Sequence, residues 1–307
     1  MYELPNFLRG ARRSRRMFNA RRLAAGLLLA GFLSACGSTS SSAVNGMIVY
    51  GDGGNQVWTI NPDGTGRHKL LKFGADPGVS PDGKRIAFVA GVIDRTIDQY
   101  VPRLWVMNAD GSGKRQLPID LAAAGTWPNP DWSPDGSTII FSGVSQGKNE
   151  FEHIYSVKPD GSALKRLTSD PDRGPTWSPD GKRIAFVRYR YASRLGFELF
   201  VMNADGSNQH KLTAGFDPDW SPDGKSIAFD DTGGMEVINP DGTDLHSLLS
   251  RASQPTWSPN GKKIAYSFGQ VGEPANGIYE MNVDGTGKEQ LSHLGFGSVD
   301  SMSWQPG

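Results

Sequence analysis

The chain has 307 residues, with 32 basic and 32 acidic side chains, 39 Gly, 20 Pro and a single Cys. The glycine and proline content excludes a helix bundle, and one cysteine excludes an internal disulfide framework. The charge balance excludes the strongly basic footprint of a nucleic-acid binder.

The first elements read as an address, not as part of the fold. Seven arginines lie between Arg9 and Arg22 and precede a 13-residue apolar run, Leu23 to Ala35. The run is long enough for a signal-peptide core but too short to cross ~30 Å of hydrocarbon as a helix. It ends Leu33-Ser34-Ala35-Cys36, which resembles a bacterial lipobox. The resemblance implies cleavage before Cys36 and a lipid on its sulfur, hence attachment to a membrane. Ser14, Arg15, Arg16 and Phe18 resemble the twin-arginine export motif, the alternative being a generic basic leader. Residues 37–43, GSTSSSA, form a polar tether with nothing to bury. By resemblance to lipoprotein sorting, Gly37 in place of Asp after the cysteine permits an outer-membrane destination. Residues 1–35 are thus expected to be a signal peptide and 36–46 a lipid-anchored tether. Without the leader the chain holds 25 basic and 31 acidic residues, a net charge of −6.

From residue 47 the sequence repeats. WSPDGKRIAF begins at Trp177, WSPDGSTIIF at Trp132, WSPDGKSIAF at Trp220 and WSPNGKKIAY at Trp257. VSPDGKRIAF begins at Val79, and a truncated WQPG begins at Trp304. A motif written this often is architecture, not catalysis. Ser-Pro-Asp-Gly is a tight turn: Pro pre-sets φ, Asp suits the next position and Gly takes the left-handed one. A short strand ends at each Trp, and an apolar strand such as Ile184–Val187 follows the turn. After a variable loop comes a third strand such as Leu199–Asn203. It ends in a second turn, NxDG or KxDG, found at Asn61, Asn108, Lys158, Asn203, Asn239 and Asn282. A fourth strand follows. Two tight hairpins per repeat make a four-stranded antiparallel blade, and the counts give six. The strand at Trp304 is then the missing first strand of the blade that begins at Met47–Tyr50, so the C-terminal strand closes the ring and removes its open edges. The expected fold is all-β, a six-bladed β-propeller over residues 47–307 with Trp packed between blades. With these two turn motifs in fixed order, the repeats resemble the TolB-type, WD-repeat-like propeller family.

Other signals are weaker. GVSQG at Gly143–Gly147 matches a nucleophile elbow, but a strand, not a helix, is expected after Ser145. His68, His210 and His246 occupy one repeat position, which disperses them around the ring and away from any shared metal ion. NADGSG lacks the ligand run and terminal Glu of a calcium loop. No metal site, cofactor or catalytic constellation is expected.

Both turn families project to one face of a propeller. The opposite face carries the variable loops, Ala90–Arg103, Gly143–Glu152 and Arg188–Phe197, and is the candidate binding face. Arg188, Tyr189, Arg190 and Tyr191 alternate there, either as a solvated strand or as an aromatic and arginine anchor for a partner. A ring of positions three and one residues before each repeat Trp contains Asp76, Asp131, Asp217 and Asp219 and no basic residue. Crowded carboxylates raise one another's pKa and favour a cation or a basic peptide; the alternative is that each caps a turn within its own blade. The expected function is a protein- or ligand-binding module in the cell envelope, exported, lipid-anchored and without nucleic-acid partners. The alternative is an extracytoplasmic lyase or hydrolase with its site in the central funnel.

Overall fold

The computed structural model describes residues 46–94, 99–119, 121–123, 128–145, 151–190, 196–268, 277–293 and 299–306. Cys36, Ser14, Arg15, Arg16, Phe18 and Tyr191 lie outside the described residues. Every regular element described is a β-strand, and the strands form six antiparallel sheets. We number the blades from the first strand in the chain. Blade 1 pairs Val299–Trp304 with Ile48–Asp52, Gln56–Ile60 and His68–Leu71. The inner strands of blades 2 to 6 are Ala75–Val79, Asp131–Trp132, Asp172–Trp177, Phe216–Trp220 and Ala252–Trp257. Closure follows the expected register, with Ile48 opposite Trp304 and Tyr50 opposite Met302. The Gln305 N–H donates to Met47 O at 2.9 Å.

The repeated residues explain the blades. In blade 4 the Ser178 hydroxyl donates to Asp180 Oδ1 at 2.6 Å and accepts the Arg183 amide at 2.9 Å. Asp180 Oδ1 also accepts the Lys182 amide at 3.1 Å, so Ser and Asp together bind the amides that the turn frees. Gly181 sits at φ 66°, where a side chain is strained. The second turn has an equivalent lock that the NxDG pattern undercounts. The Asn203 amide nitrogen donates to Ser207 Oγ at 2.9 Å, and the Ser207 N–H donates to Asp205 Oδ1 at 2.9 Å. Each of the six turns carries Ser or Thr at that fifth position, from Thr65 to Thr286.

One expectation of loop is corrected, and blade 3 departs from the repeat. Most of Ala90–Arg103 is strand, because Arg85–Asp94 and Gln99–Asn108 pair over their whole length. The β-branched residues Val92, Ile93 and Val101 extend the hairpin beyond its repeat length. In blade 3 the inner strand shrinks to two residues, and Leu121–Ala123 pairs with the far end of Ile139–Ser145. The strand into Ser145 is followed by another strand, His153–Val157, which is not an elbow geometry.

The core is divided into wedges, each between two neighbouring blades. Ala87, Leu104 and Val106 of blade 2 meet Trp132, Ile139 and Phe141 of blade 3. Ala185, Leu199 and Val201 of blade 4 meet Trp220, Ile227 and Phe229 of blade 5. Ile48, Tyr50 and Ile60 of blade 1 meet Ala265, Ile278 and Leu291 of blade 6, which closes the ring in apolar contact as well as in hydrogen bonds. The repeat Trp is a wedge residue, as expected; Trp132 is 3% and Trp220 4% exposed. Arg85 and Arg183 lie over the rings of Trp132 and Trp220 of the next blade, at 4.4 and 4.7 Å from the ring centres. Those guanidiniums seal the wedge at the turn face.

Trp220→Ala is expected to cost about 3–5 kcal/mol in a denaturant titration, through the cavity left between blades 4 and 5. Deleting residues 299–307 should lower the single melting transition of the whole ring by about 10 °C or more, given ~2–4 °C per kcal/mol at this size. An unchanged transition, or fraying of blade 1 alone in hydrogen exchange, would contradict closure.

Candidate functional site

The inner strands do not run straight. In blades 2 to 6 the residue three before the Trp position has positive φ: Asp76 49°, Asn129 33°, Gly174 57°, Asp217 50° and Gln254 54°. Each is followed by proline: Pro77, Pro130, Pro175, Pro218 and Pro255. In blades 2, 4, 5 and 6 the pairing register slips at this point, as between Phe216 and Asp219. A left-handed residue before proline costs free energy, so neighbours must hold it. Two amides at this position are seen to be held by the preceding blade. The Gly174 N–H donates to Ser142 Oγ at 2.9 Å, and the Gln254 N–H donates to Asp230 Oδ2 at 2.8 Å.

These bulges turn their side chains to the central channel. They line a cavity of ≈ 120 Å³ that brings together Asp76, Asp131, Asp217 and Asp219, with Asp300 beside them. The four carboxylates expected to meet thus share one site, although they come from blades 2, 3 and 5. Two of them serve a structural bond that crosses between blades, where sequence reasoning had considered caps inside one blade. Asp131 Oδ2 accepts the Trp177 N–H at 2.7 Å and the Thr176 hydroxyl at 3.1 Å. Asp219 Oδ2 accepts the Trp257 N–H at 2.7 Å. Ser303 Oγ takes the same role toward the Val79 N–H at 3.3 Å. The acceptors therefore stand on blades 1, 3 and 5, and each reaches the next blade. At the equivalent place on blade 2 stands Gly78, where a Cβ would lie 1.9 Å from Pro130 O; only glycine admits that approach.

Enclosure in the channel wall governs the protonation of these groups. Burial pushes Asp76 up to about 7, the Asp300 charge adds to the rise, and the Ser301 hydroxyl opposes it. Asp219 is pushed up to about 7 by burial against the pull of the Trp257 N–H. Asp131 and Asp217 rise to about 6 for the same first reason, the latter against the nearby Arg173 cation. Asp230 is raised well above the ordinary range by burial and then by the Asp217 charge. Its Oδ1 is buried with no hydrogen-bond partner. Sequence reasoning missed Asp230 and Asp300, because neither falls on the −3 or −1 position; the signal available was Asp230 standing where other blades have Val, Ser or Gly.

The RYRY segment is split by the fold. Arg188 is buried: its Nε and Nη2 donate to Asp172 at 2.7 and 2.9 Å, its Nη1 lies 2.9 Å from Asp170, and it covers Phe200. It is a structural cation, not an exposed anchor. Arg190 is half-exposed and close to Asp170. Tyr189 packs on Phe197 and lines a groove of ≈ 550 Å³ with Phe151, Glu152 and Arg173. His68, His210 and His246 begin outer strands and are exposed, as the repeat position implies. Among the described residues no group of three His, Cys, Asp or Glu is placed to hold a metal ion.

Fold and channel define a class: a closed six-bladed propeller with rigid turns on one face and an acidic channel mouth on the other. Residues 63–307 match the model of the TolB beta propeller domain, and the chain belongs to that family. It is similar to the uncharacterized peptidase YuxL of Bacillus subtilis (strain 168), 28% identical over 96 residues, which are 31% of this chain and 14% of that protein. It is also similar to the uncharacterized protein Atu1656 of Agrobacterium fabrum, 33% identical over 91 residues, 30% of this chain and 27% of that one. The matches thus span less than a third of either curated relative. Among solved structures, TolB from Acinetobacter baumannii superposes with a TM-score of 0.70 at 20% identity, covering 85% of this chain and 67% of that one. At that identity the likeness is one of fold.

Carboxylates with pKa raised from 3.8 to about 6–7 are protonated more readily in the folded chain than in the unfolded one. The fold therefore takes up protons between about pH 4 and 7, and its stability falls as pH rises through that window. The melting temperature is expected to drop between pH 4.5 and 7.5, and Asp76→Asn should flatten the slope. A melting temperature that rises over the window in the wild type would refute the assignment.

Proposed function

We propose that this chain is an exported, lipid-anchored binding module of the cell envelope, and that its acidic channel mouth receives a cationic group of a protein or peptide partner. The observation that carries the reading is the convergence of Asp76, Asp217, Asp219 and Asp300 on one half-open cavity at the channel mouth. An entering cation adds counter-charge, of which Arg173 beside Asp217 supplies only part, and draws the pKa of these carboxylates back down, so binding releases protons. The groove beside it, with Phe151, Tyr189 and Arg173, offers an aromatic rim for the rest of the ligand. Export by the twin-arginine route and lipid attachment at Cys36 are part of this reading, supported by the sequence of the leader. A funnel lyase or hydrolase would draw on the same carboxylates, but Asp131 and Asp219 are engaged in bonds between blades. Those bonds favour a fixed binding wall over mobile acid–base groups.

Calorimetry with short lysine- and arginine-containing peptides tests the site. Binding should strengthen from pH 5 to 7.5, weaken with salt, and fall at least tenfold in Asp217→Asn/Asp219→Asn. Equal affinity for a glutamate-containing analogue would remove the acidic mouth from consideration. Labelling with a clickable fatty acid should be lost in Cys36→Ala, and equal label in the variant would remove the anchor.

A further inference from the structure

Of the five histidines only His153 is buried, at 6% exposed, and it stands outside the channel lining. It opens the third strand of blade 3, His153–Val157, and its ring is held on both sides. Nε2 lies 3.0 Å from Arg166 Nη2, and Nδ1 lies 2.7 Å from Asp170 O. A guanidinium only donates and a carbonyl only accepts, so both roles are fixed: Nε2 accepts, and the hydrogen on Nδ1 donates. The ring that satisfies both contacts is the neutral imidazole. A second proton, on Nε2, sets an N–H against the N–H of a permanent cation. The other charges around the ring are committed elsewhere. Asp170 and Asp172 engage Arg188, Lys165 donates to Asp205 O of the next blade at 3.1 Å, and Glu152 acts on Arg173.

The link from blade 3 to blade 4, residues 167–172, hangs on these contacts. Arg166 donates from Nε to Thr168 O at 2.7 Å and from Nη2 to Ser169 O at 3.4 Å, so its guanidinium ties the His153 ring to the link. Thr168 Oγ1 accepts the Ile154 N–H at 3.0 Å, and the Asp172 N–H donates to Glu152 O at 2.9 Å. Beyond it, the Tyr189 N–H of blade 4 donates to Pro171 O at 2.9 Å. Glu152, Pro171, Asp172 and Tyr189 line the groove of ≈ 550 Å³. One wall of that groove is therefore held by a clamp in which a single imidazole nitrogen is an acceptor. When that nitrogen takes a proton from solvent, Arg166, an exposed residue, is repelled into water, and its bonds to Thr168 O and Ser169 O go with it.

We infer that His153 and Arg166 form a pH-sensitive latch on the groove wall, closed while the imidazole is neutral and released in mild acid. Its consequence for a ligand rests on the groove's part in the function proposed above; the latch itself does not. Amide hydrogen exchange in the folded chain without ligand, at about pH 7.5 and about pH 5.5 and corrected for the intrinsic rate at each, tests it. The Asp172 and Tyr189 N–H groups should lose about tenfold in protection at the lower pH, while the Ile184 N–H, in the middle of blade 4, should not. The channel carboxylates act in the opposite sense, since the fold gains stability as they take up protons, so they do not produce a loss in acid. H153Q keeps an acceptor and a donor at every pH and should hold its protection at both. R166Q should be open at both. In a nitrogen-15 spectrum at the higher pH the His153 ring should carry its hydrogen on Nδ1. Unchanged protection in the parent chain, an acid loss that persists in H153Q, full protection in R166Q, or a hydrogen on Nε2 at the higher pH would each overturn the inference. Absence of peptide binding at either pH would instead count against the proposed function and leave the latch standing.

Discussion

Everything in this molecule depends on apolar contact between neighbouring blades. A single four-stranded blade is two-sided and too thin to bury its own side chains. Ile184 and Phe186 of blade 4 are covered by Ile140 and Ile154 of blade 3, while Ala185 and Val201 on the other side are covered by Trp220 of blade 5. Strand alternation therefore sends successive residues into different wedges, and no blade has a core without both neighbours. The wedge between blades 6 and 1 is the one that converts a row of repeats into a closed object. Hydrogen bonding from Ile48 to Trp304 fixes its register, and burial of Ile48, Tyr50 and Ile278 supplies its cohesion.

The ring constrains its channel in turn. Packing blades this closely brings inner strands within bonding distance, and the bonds then alternate. Ser303, Asp131 and Asp219 reach forward from blades 1, 3 and 5, while Gly78, Thr176 and Thr256 stand at the same place on blades 2, 4 and 6. The arginines over tryptophan rings belong to blades 2 and 4. Sixfold architecture thus carries a threefold chemical pattern of blade pairs. Carboxylates serve as the strongest available acceptors for amides at that join, and their enclosure raises their pKa. The same two groups thus hold blades together and give the channel mouth its sign.

The fold was legible in the sequence because each hairpin writes its own turn chemistry. Ser178, Asp180 and Gly181 do local work that does not depend on distant residues, so the pattern survives in every copy. The closing strand could be found because its Trp304 was the one motif lacking a following strand. The convergence of Asp76, Asp131, Asp217 and Asp219 was legible from repeat position alone, since equivalent positions must ring the axis. What those carboxylates touch was not legible: Asp131 meets Trp177 of another blade, and only the spacing of the blades decides that distance. Arg188 was misread for a similar reason. Its partners Asp170 and Asp172 precede it by one strand, and nothing in the RYRY pattern records that the guanidinium is turned inward. Asp230 escaped because its burial is set by a neighbouring bulge at Gln254.

The prolines of the inner strands have a consequence for anything that enters the channel. The strand nearest the axis has a free edge, and a free edge normally invites another strand to pair with it. Pro77, Pro130, Pro175, Pro218 and Pro255 have no amide hydrogen, and each sits where the strand is already broken by a left-handed residue. The wall therefore offers carbonyl and carboxylate oxygens but an interrupted row of donors. On blades 2 to 6 an extended peptide cannot add itself to the sheet there, backbone to backbone; blade 1 has Met302 at that place. Under the function proposed above, the group received there is one rich in its own hydrogens, an ammonium or a guanidinium inserted end-on, so that selection would act on the tip of a side chain or a chain terminus and be indifferent to the conformation of what trails behind it.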